Sequence, residues 1–586
     1  MKPHSCLWLV LFSVVFAAQI IPRLGGDSLT NDEPMEITNG YFYLTHGDVL
    51  SHFKHPPFSK ALEALPLLAL RLKEPQGPGD AIDRAYAFFF RDNPGRLRAM
   101  TLGGRLSSLL LGWGIGFLLF RMLKAGPLPV LLAALGLWAF DPTLSAFSGL
   151  AMADVPVSFF FLAAVLAFRR SGEPGSRKFS FLAGILSGMA VTCKFSALVL
   201  LPLFLILDLI ALVWKSTPPF EKGGQGGISR YLHQLIKLTP PYSPSFRGGE
   251  NKHSSLHAFI PSWTNIASRW LWGLGGFALW VFLVYLPGTL LLPDHSSPFR
   301  YFWDGFQDMA HYHGHPVYFM GRVGPENHWA YFPVAFFLKN PLPFLGLLVL
   351  GFVLAASRRL ALPLWQWAPG LLFFAAILPT QDLGIRYLLP AYPFFILVAA
   401  RAFGWLWQKA DSKPLWKITL IGLALSQMAS VGLNFPHAVS YFNETVSSEG
   451  RFYWLGDSNL DISQDLGRLS RLAREQDWGK VKLAYLGGVD PSAYGLSWEP
   501  WREEDLKAPR PGEVYAVNAS FFQLAPAFYP ESLPIATGWL SQAAPSGKVG
   551  DTWYYYRFPG TSQPDRGNIL SSVPYQQRRG YVSTGR

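Results

Sequence analysis

The sequence predicts a mainly α-helical, polytopic membrane protein that carries a small α/β domain near its C-terminus. Three observations predict this. Half of the 586 residues are hydrophobic and only 15% are charged, where a soluble domain carries nearer a quarter. The apolar residues are gathered into runs such as "LSSLLLGWGIGFLLF" and "FSALVLLPLFLILDLIALVW", and a run of roughly 20 crosses a bilayer. Beyond residue 435 the pattern changes to short strand-like segments separated by polar turns.

About eleven spans are expected, near residues 5–22, 100–120, 127–145, 150–168, 179–193, 195–214, 270–292, 341–356, 363–379, 385–404 and 415–434. The first carries a small-residue stretch, "VVFAAQ", that resembles a signal-peptide cleavage site. Its length and flanks read better as a retained anchor. The basic loops "FRMLK", "RRSGEPGSRK", Arg358–Arg359 and "QKADSKPLWK" fall on alternate connections, while those between hold Asp141, Asp154 and Asp382. Short basic loops mark the cytoplasmic side. The N-terminus is therefore expected inside, with the 23–99 loop and everything after about residue 435 outside. In a bacterial frame this is the plasma (inner) membrane.

Residues 1–435 are read as one transmembrane domain. Within it, 216–262 is a cytoplasmic insertion rich in Pro, Gly and Ser with a weak echo, "PPFEKGGQGG" and "PPYSPSFRGGE", a composition unsuited to burying a core. Residues 436–559 form the outer α/β domain: "KVKLAYLGGVD", "GEVYAVNASFF" and "TWYYYRF" are strand-like, and "LDISQDLGRLSRLAREQ" has helical spacing. Residues 560–586 are a polar tail. The two cysteines, Cys6 and Cys193, offer no disulfide framework and no Cys-based metal site. The net charge of +12 follows from topology and calls for no nucleic acid.

The first outer loop is the informative stretch: "NDEPMEITNGYFYLTHGDVLSHFKHPP". Asp32 and Glu33 stand just outside the first span. Lys54 and His55 precede two prolines and "FSKALEALPLLALRL", an amphipathic stretch expected to lie on the membrane interface. Asp154 opens the fourth span, Lys194 sits at the turn between spans five and six, Lys339 precedes "NPLPF", and Arg386 begins "RYLLPAYP". Charges at helix ends in an apolar setting are costly and so are candidates for function. The plainer readings are snorkelling for Lys194, Lys339 and Arg386, helix capping for Asp154, and a helix start with Pro34 at its first position for Asp32 and Glu33. The histidines of "HYHGH" (His311, His313, His315) leave a divalent metal open, but surface loop residues are the commoner case, and no cofactor is assigned.

One outer carboxylate can act as general base on an acceptor hydroxyl, and membrane-level cations can hold a departing phosphate. A phosphate is already a weak base, so the paired acid of a glycosidase is unnecessary. That chemistry is group transfer from a lipid phosphate. A transporter or flippase of lipid-linked glycans is the alternative, but its usual internal symmetry is not visible in the sequence.

Taken together, "NDEP", "HFKHPPFSKALEALPLL", "MADVPVSFFFLAAVLAF", "CKFSALVLLP", "HWAYFPVAFFLKNPLPF", "RYLLPAYPFFI" and "GDSNLDISQDL" resemble the polyprenyl-phosphate-sugar-dependent glycosyltransferases of the GT-C class. That superfamily holds the protein O-mannosyltransferases and the lipid A aminoarabinose transferase of the cell envelope. The resemblance covers about residues 5–470 and implies Asp32 as base with Glu33 supporting. It implies donor-phosphate contacts at Lys54, His55, Lys194, Lys339 and Arg386, and a supporting Asp154. "KHPP" stands where the aminoarabinose transferase reads like "EKPP". The implied enzyme is inverting, and its partners are a polyprenyl-phosphate sugar, a hydroxyl acceptor on protein, lipid or glycan, and membrane lipid. In the outer domain, Ser458 and Asn459 of "GDSNLD" are expected to cap a helix. Removing everything after about residue 436 is expected to spare donor handling and to abolish transfer to the acceptor.

Overall fold

The computed structural model describes residues 4–49, 55–75, 80–173, 176–216, 263–311, 316–324, 328–412, 414–528, 539–541 and 543–558. Lys54, His313, His315, nearly all of the 216–262 insertion and the tail from residue 559 lie outside these residues.

Every expected span falls on a helix. The first is α1 (His4–Gly26), followed by two helices of the 23–99 loop, α2 (Glu33–His46) and α3 (Pro57–Ala64). Further helices are Leu97–Leu123, Asp154–Arg170, Arg177–Cys193, Leu200–Ser216, Trp263–Leu291, Ala368–Ile377, Tyr392–Lys409 and Pro414–Gly432. Among the described residues, six helices are long and apolar enough to cross a membrane, or up to eight if each of two bent pairs counts as one span. The bent pairs break where the sequence places proline. Leu128–Ala139 turns by 53° into Pro142–Ser148, and Tyr331–Leu338 turns by 119° into Leu342–Ala356. Pro142 and Pro341 carry no N–H and disfavour helix at the residue before them. Both bends bring polar residues, Asp141 and Lys339–Asn340, to helix ends.

Two helices cross on glycine. A Cβ built on Gly184 would lie 1.8 Å from the carbonyl oxygen of Gly273, so Arg177–Cys193 and Trp263–Leu291 meet backbone to backbone, the small-residue packing typical of membrane helices.

A short hairpin, β1 (Val317–Phe319) and β2 (Arg322–Gly324), is bridged from Phe319 to Leu455. The C-terminal sheet has five strands: β3 (Val481–Ala484), β4 (Trp498–Pro500), β5 (Val514–Asn518), β6 (Gly547–Val549) and β7 (Trp553–Arg557). Their order is β4-β3-β5-β7-β6, with β3 parallel to β4 and β5 and the β7 pairings antiparallel. This is the expected α/β unit, but it does not have a core to itself. Leu29, Ile37, Ala64 and Phe88 of the 23–99 loop share one buried cluster with Leu466, Leu469, Val481 and Trp553.

The stretch "FSKALEALPLL", expected on the membrane interface, turns its polar edge into the protein. Ser59, Lys60 and Glu63 of α3 are buried, whereas Leu65 and Leu68 are 56% and 47% exposed. The polar edge faces inward because α3 lies hard against α2 at Gly40, where a Cβ would sit 1.9 Å from the Lys60 carbonyl oxygen. Close backbone approach there turns the following residues, rather than the polar ones, outward.

Candidate active site

Pro34 in the first turn fixes the start of α2. Gly47, at φ +65°, ends the helix in the left-handed conformation that glycine adopts without strain. Asp32 is the residue before the helix, yet its carboxylate makes no capping bond. It accepts a hydrogen bond from Arg386 Nη1 at 2.8 Å instead, with the Asp32 side chain 47% exposed and that of Arg386 12%. Arg386 Nη1 also lies 3.1 Å from Met152 Sδ.

A second pair stands beside the first. Asp154 opens its helix without capping it, and its Oδ1 accepts from Lys194 Nζ at 2.7 Å. Lys194 terminates helix Arg177–Cys193 in extended backbone, and its ammonium lies 3.6 Å from the centre of the Tyr387 ring. The Arg386 guanidinium is 5.9 Å from the same ring. Asp32, Asp154, Lys194 and Arg386, read separately from four parts of the sequence, thus flank one aromatic side chain.

Glu33 does a different job. Its carboxylate accepts from Arg105 Nε and Nη2 at 2.7 Å each, from Thr30 N–H at 2.8 Å and from Ala151 N–H at 2.9 Å, with both side chains fully buried. Arg105 donates further to the carbonyls of Leu24, Asp27 and Ser28. These bonds fix the turn that carries Asp32. The Glu33 lone pairs are committed to protein.

Lys339 stands apart from the two pairs. Its Nζ donates to the carbonyl oxygens of Val439 at 2.8 Å and Asn459 at 2.6 Å, and it lies over Phe442. His55 enters through its backbone: its carbonyl accepts from Lys60 Nζ at 2.9 Å. Among the described residues no group of three or more His, Cys, Asp or Glu side chains is arranged to hold a metal ion.

Behind Asp32 lies a buried triad on α2 and α3. Burial raises the carboxyl groups of Glu36 and Glu63, the latter well above its ordinary value, and lowers the Lys60 ammonium between them. Neither Glu63 oxygen has a hydrogen-bond partner, so the neutral acid is its low-energy form there.

"GDSNLD" does not cap the following helix. Leu466–Glu475 begins after Asp465, while Ser458 donates to the Leu383 carbonyl and Asn459 Oδ1 accepts from Ile385 N–H at 2.9 Å. Sequence reasoning missed Tyr387, Arg105 and Asn31, and read Asn459 only as a helix cap. Arg105, alone inside an apolar run, carried a usable signal, and Tyr387 adjoins Arg386. The two asparagines carried none.

Two cation–carboxylate pairs around a ring, one carboxylate half open to solvent, can take a proton from an incoming hydroxyl while the cations receive an anion. Residues 7–239 match the family model described as dolichyl-phosphate-mannose-protein mannosyltransferase. That is less than half the chain, but it includes Asp32, Asp154 and Lys194. The match bears out the class read from the motifs, a GT-C membrane glycosyltransferase. A search of the curated proteins finds no match. Among solved structures the chain is similar to ArnT from Cupriavidus metallidurans in the apo state, at 13% identity and a TM-score of 0.43, with 94% of this chain and 97% of that one covered. It is also similar to the same protein bound to undecaprenyl phosphate, at 12% and 0.41 with the same coverage. For the apo oligosaccharyltransferase of Archaeoglobus fulgidus the figures are 11% and 0.41, covering 85% of this chain and 64% of that one. Likenesses this distant assign no residue and no substrate here.

Proposed function

We propose that this multi-pass membrane protein moves one sugar from a polyprenyl-phosphate carrier to a hydroxyl of a protein, lipid or glycan, at the outer face of the plasma (inner) membrane. Asp32 takes the proton of the acceptor hydroxyl. The hydroxyl oxygen attacks the anomeric carbon from the side opposite the phosphate. The carbon–oxygen bond to phosphate breaks, the configuration inverts, and the polyprenyl phosphate leaves against Lys194 and Arg386. Asp154 orients Lys194. Lys54 and His55, next to one another at the end of the first outer loop's central stretch, are the remaining candidates for the phosphate.

The observation that carries this reading is the Asp32–Arg386 pair, 2.8 Å apart with its carboxylate half exposed, beside Asp154–Lys194. Each cation is pre-positioned by a carboxylate that an arriving phosphate can replace, and preorganised charge is worth most where water is thin. The family match over residues 7–239 supports the donor class. The test is the purified protein in lipid bilayers, offered polyprenyl-phosphate-linked mannose, glucose and aminoarabinose in turn. Release of carrier phosphate that depends on acceptor is expected for one of them. Release from none, by protein that still binds polyprenyl phosphate, would overturn the proposal.

A further inference from the structure

We propose that the segment Gly456–Gln464 of the C-terminal region is the positioning element of the active site, gripping the chain beside Asp32 at one end and beside Arg386 at the other. The inference rests on the roles proposed above for those two residues.

At the Arg386 end, Asn459 is fully buried. Its Oδ1 accepts from Ile385 N–H at 2.9 Å, its Nδ2 donates to Tyr331 Oη at 2.7 Å and Gly456 O at 3.1 Å, and its carbonyl takes the Lys339 ammonium. Ser458 holds the Leu383 carbonyl. Between these grips lies Gly384 at φ +116°, where a Cβ would fall 2.0 Å from Ser458 Oγ. Only glycine admits this contact and this backbone.

At the Asp32 end, Asn31 N–H donates to Ile462 O at 3.2 Å, and Asn31 Oδ1 accepts from Ser463 Oγ at 2.6 Å and Gly488 N–H at 2.9 Å. Ser28 N–H donates to Gln464 O at 2.9 Å. The segment is itself braced. Gln464 bonds Leu460 O and Ile462 N–H, while Asp461 Oδ2 accepts from Asn518 Nδ2 and Ser520 N–H.

A half-exposed ion pair adds little stability by itself. The Asp32–Arg386 contact therefore cannot fix two chain segments that lie 354 residues apart, and the neighbours of each must. Both neighbours are held by one short stretch. This explains why the C-terminal sheet shares its core with the first outer loop. It also opposes the expectation that truncation after residue 436 would leave donor handling intact.

The two grips act on different groups, so their loss is separable. Asn31→Ala should lower kcat about a hundredfold, the effect of misplacing a reacting group by about 1 Å, with the donor KM little changed. Asn31→Asp keeps both accepted bonds and should recover most of the loss. Asn459→Ala should weaken binding of polyprenyl phosphate itself roughly tenfold, one charge-assisted contact misplaced. Asn459→Asp, which keeps the Ile385 bond, should weaken it less. The assays use the full chain in nanodiscs, with turnover per monodisperse molecule and direct binding of polyprenyl phosphate. That split, with rescue by the two aspartates, supports positioning. Equal losses of turnover and binding that follow only the folded fraction would mean a merely structural role, and unchanged kinetics in both alanine variants would also overturn the inference. Absence of sugar transfer by the wild type would refute the proposed function instead, and the Asn459 binding comparison would still decide the Arg386 end.

Discussion

Glu33 and Asp32 are neighbours, yet the structure gives them separable roles, and substitution of Glu33 tests this. The Glu33 carboxylate accepts four hydrogen bonds, two from Arg105 and two from the N–H groups of Thr30 and Ala151, with no solvent access. Glu33→Ala leaves a buried guanidinium facing only carbonyls, a change that typically costs about 3–5 kcal/mol. It also orphans two backbone N–H groups at roughly 1–3 kcal/mol each if water does not reach them. Even the lower bound is a large share of the roughly 5–15 kcal/mol that holds a typical fold. Glu33→Gln keeps the shape but loses the charge, so the lower end of the same range applies. The assay is thermal unfolding of the detergent-solubilised protein followed by tryptophan fluorescence, beside turnover per folded molecule. A fall in Tm of about 2–3 °C for Glu33→Gln is expected, with turnover of the surviving folded protein within about tenfold of wild type, since no reacting group is removed. The double variant Glu33→Gln/Arg105→Met should recover part of the stability, because it removes the uncompensated charge. A wild-type Tm with turnover lost by a hundredfold or more would make Glu33 a catalytic group and refute the structural role.

Lys194→Met and Arg386→Met should each weaken polyprenyl-phosphate binding roughly tenfold or more, by loss of a charge-assisted contact. Lys339→Met should instead lower Tm and leave that affinity per folded molecule unchanged, and equilibrium binding in nanodiscs separates the two outcomes. Glu63, whose buried carboxyl is raised well above its ordinary 4.5 with Glu36, Glu33, Lys60 and Asp154 around it, should make stability pH-dependent. The folded protein keeps a proton that the unfolded chain gives up, so stability is full below about pH 4.5 and is lost as pH rises toward the folded pKa. Glu63→Gln should flatten this fall in Tm measured from pH 5 to 8, and an unchanged slope would refute it. Deleting residues 218–250, which the sequence places on the side opposite the site, should leave membrane insertion and turnover unchanged.

The apolar runs were legible because such a run has one meaning in a bilayer, but the breaks at Pro142 and Pro341 were not read: 127–145 was expected as one span and the helix Tyr331–Leu338 was not expected. The angles of those breaks were not legible, since proline sets where a helix stops and packing sets where the chain goes next. Asp32, Asp154, Lys194 and Arg386 stood out as charges at the ends of apolar runs. Their pairing did not, because contacts between residue 32 and residue 386 leave no local pattern. Which edge of α3 faces inward was not legible for a related reason: amphipathicity says that two faces differ, and only the close approach at Gly40 decides which one is buried. Asn31 and Asn459 are short and uncharged. A side chain whose work is to hold a backbone N–H cannot be told from a turn residue until the fold brings its partner near.

The most direct measurement is transfer by Asp32→Asn in lipid bilayers, with polyprenyl-phosphate binding measured on the same preparation. Loss of a general base should cut turnover by about a hundred- to ten-thousandfold. Affinity for polyprenyl phosphate should hold or rise, because Arg386 is released from the carboxylate that now lies 2.8 Å away. Wild-type turnover by folded Asp32→Asn would contradict the assignment of the base, and with it the mechanism built on the Asp32–Arg386 pair.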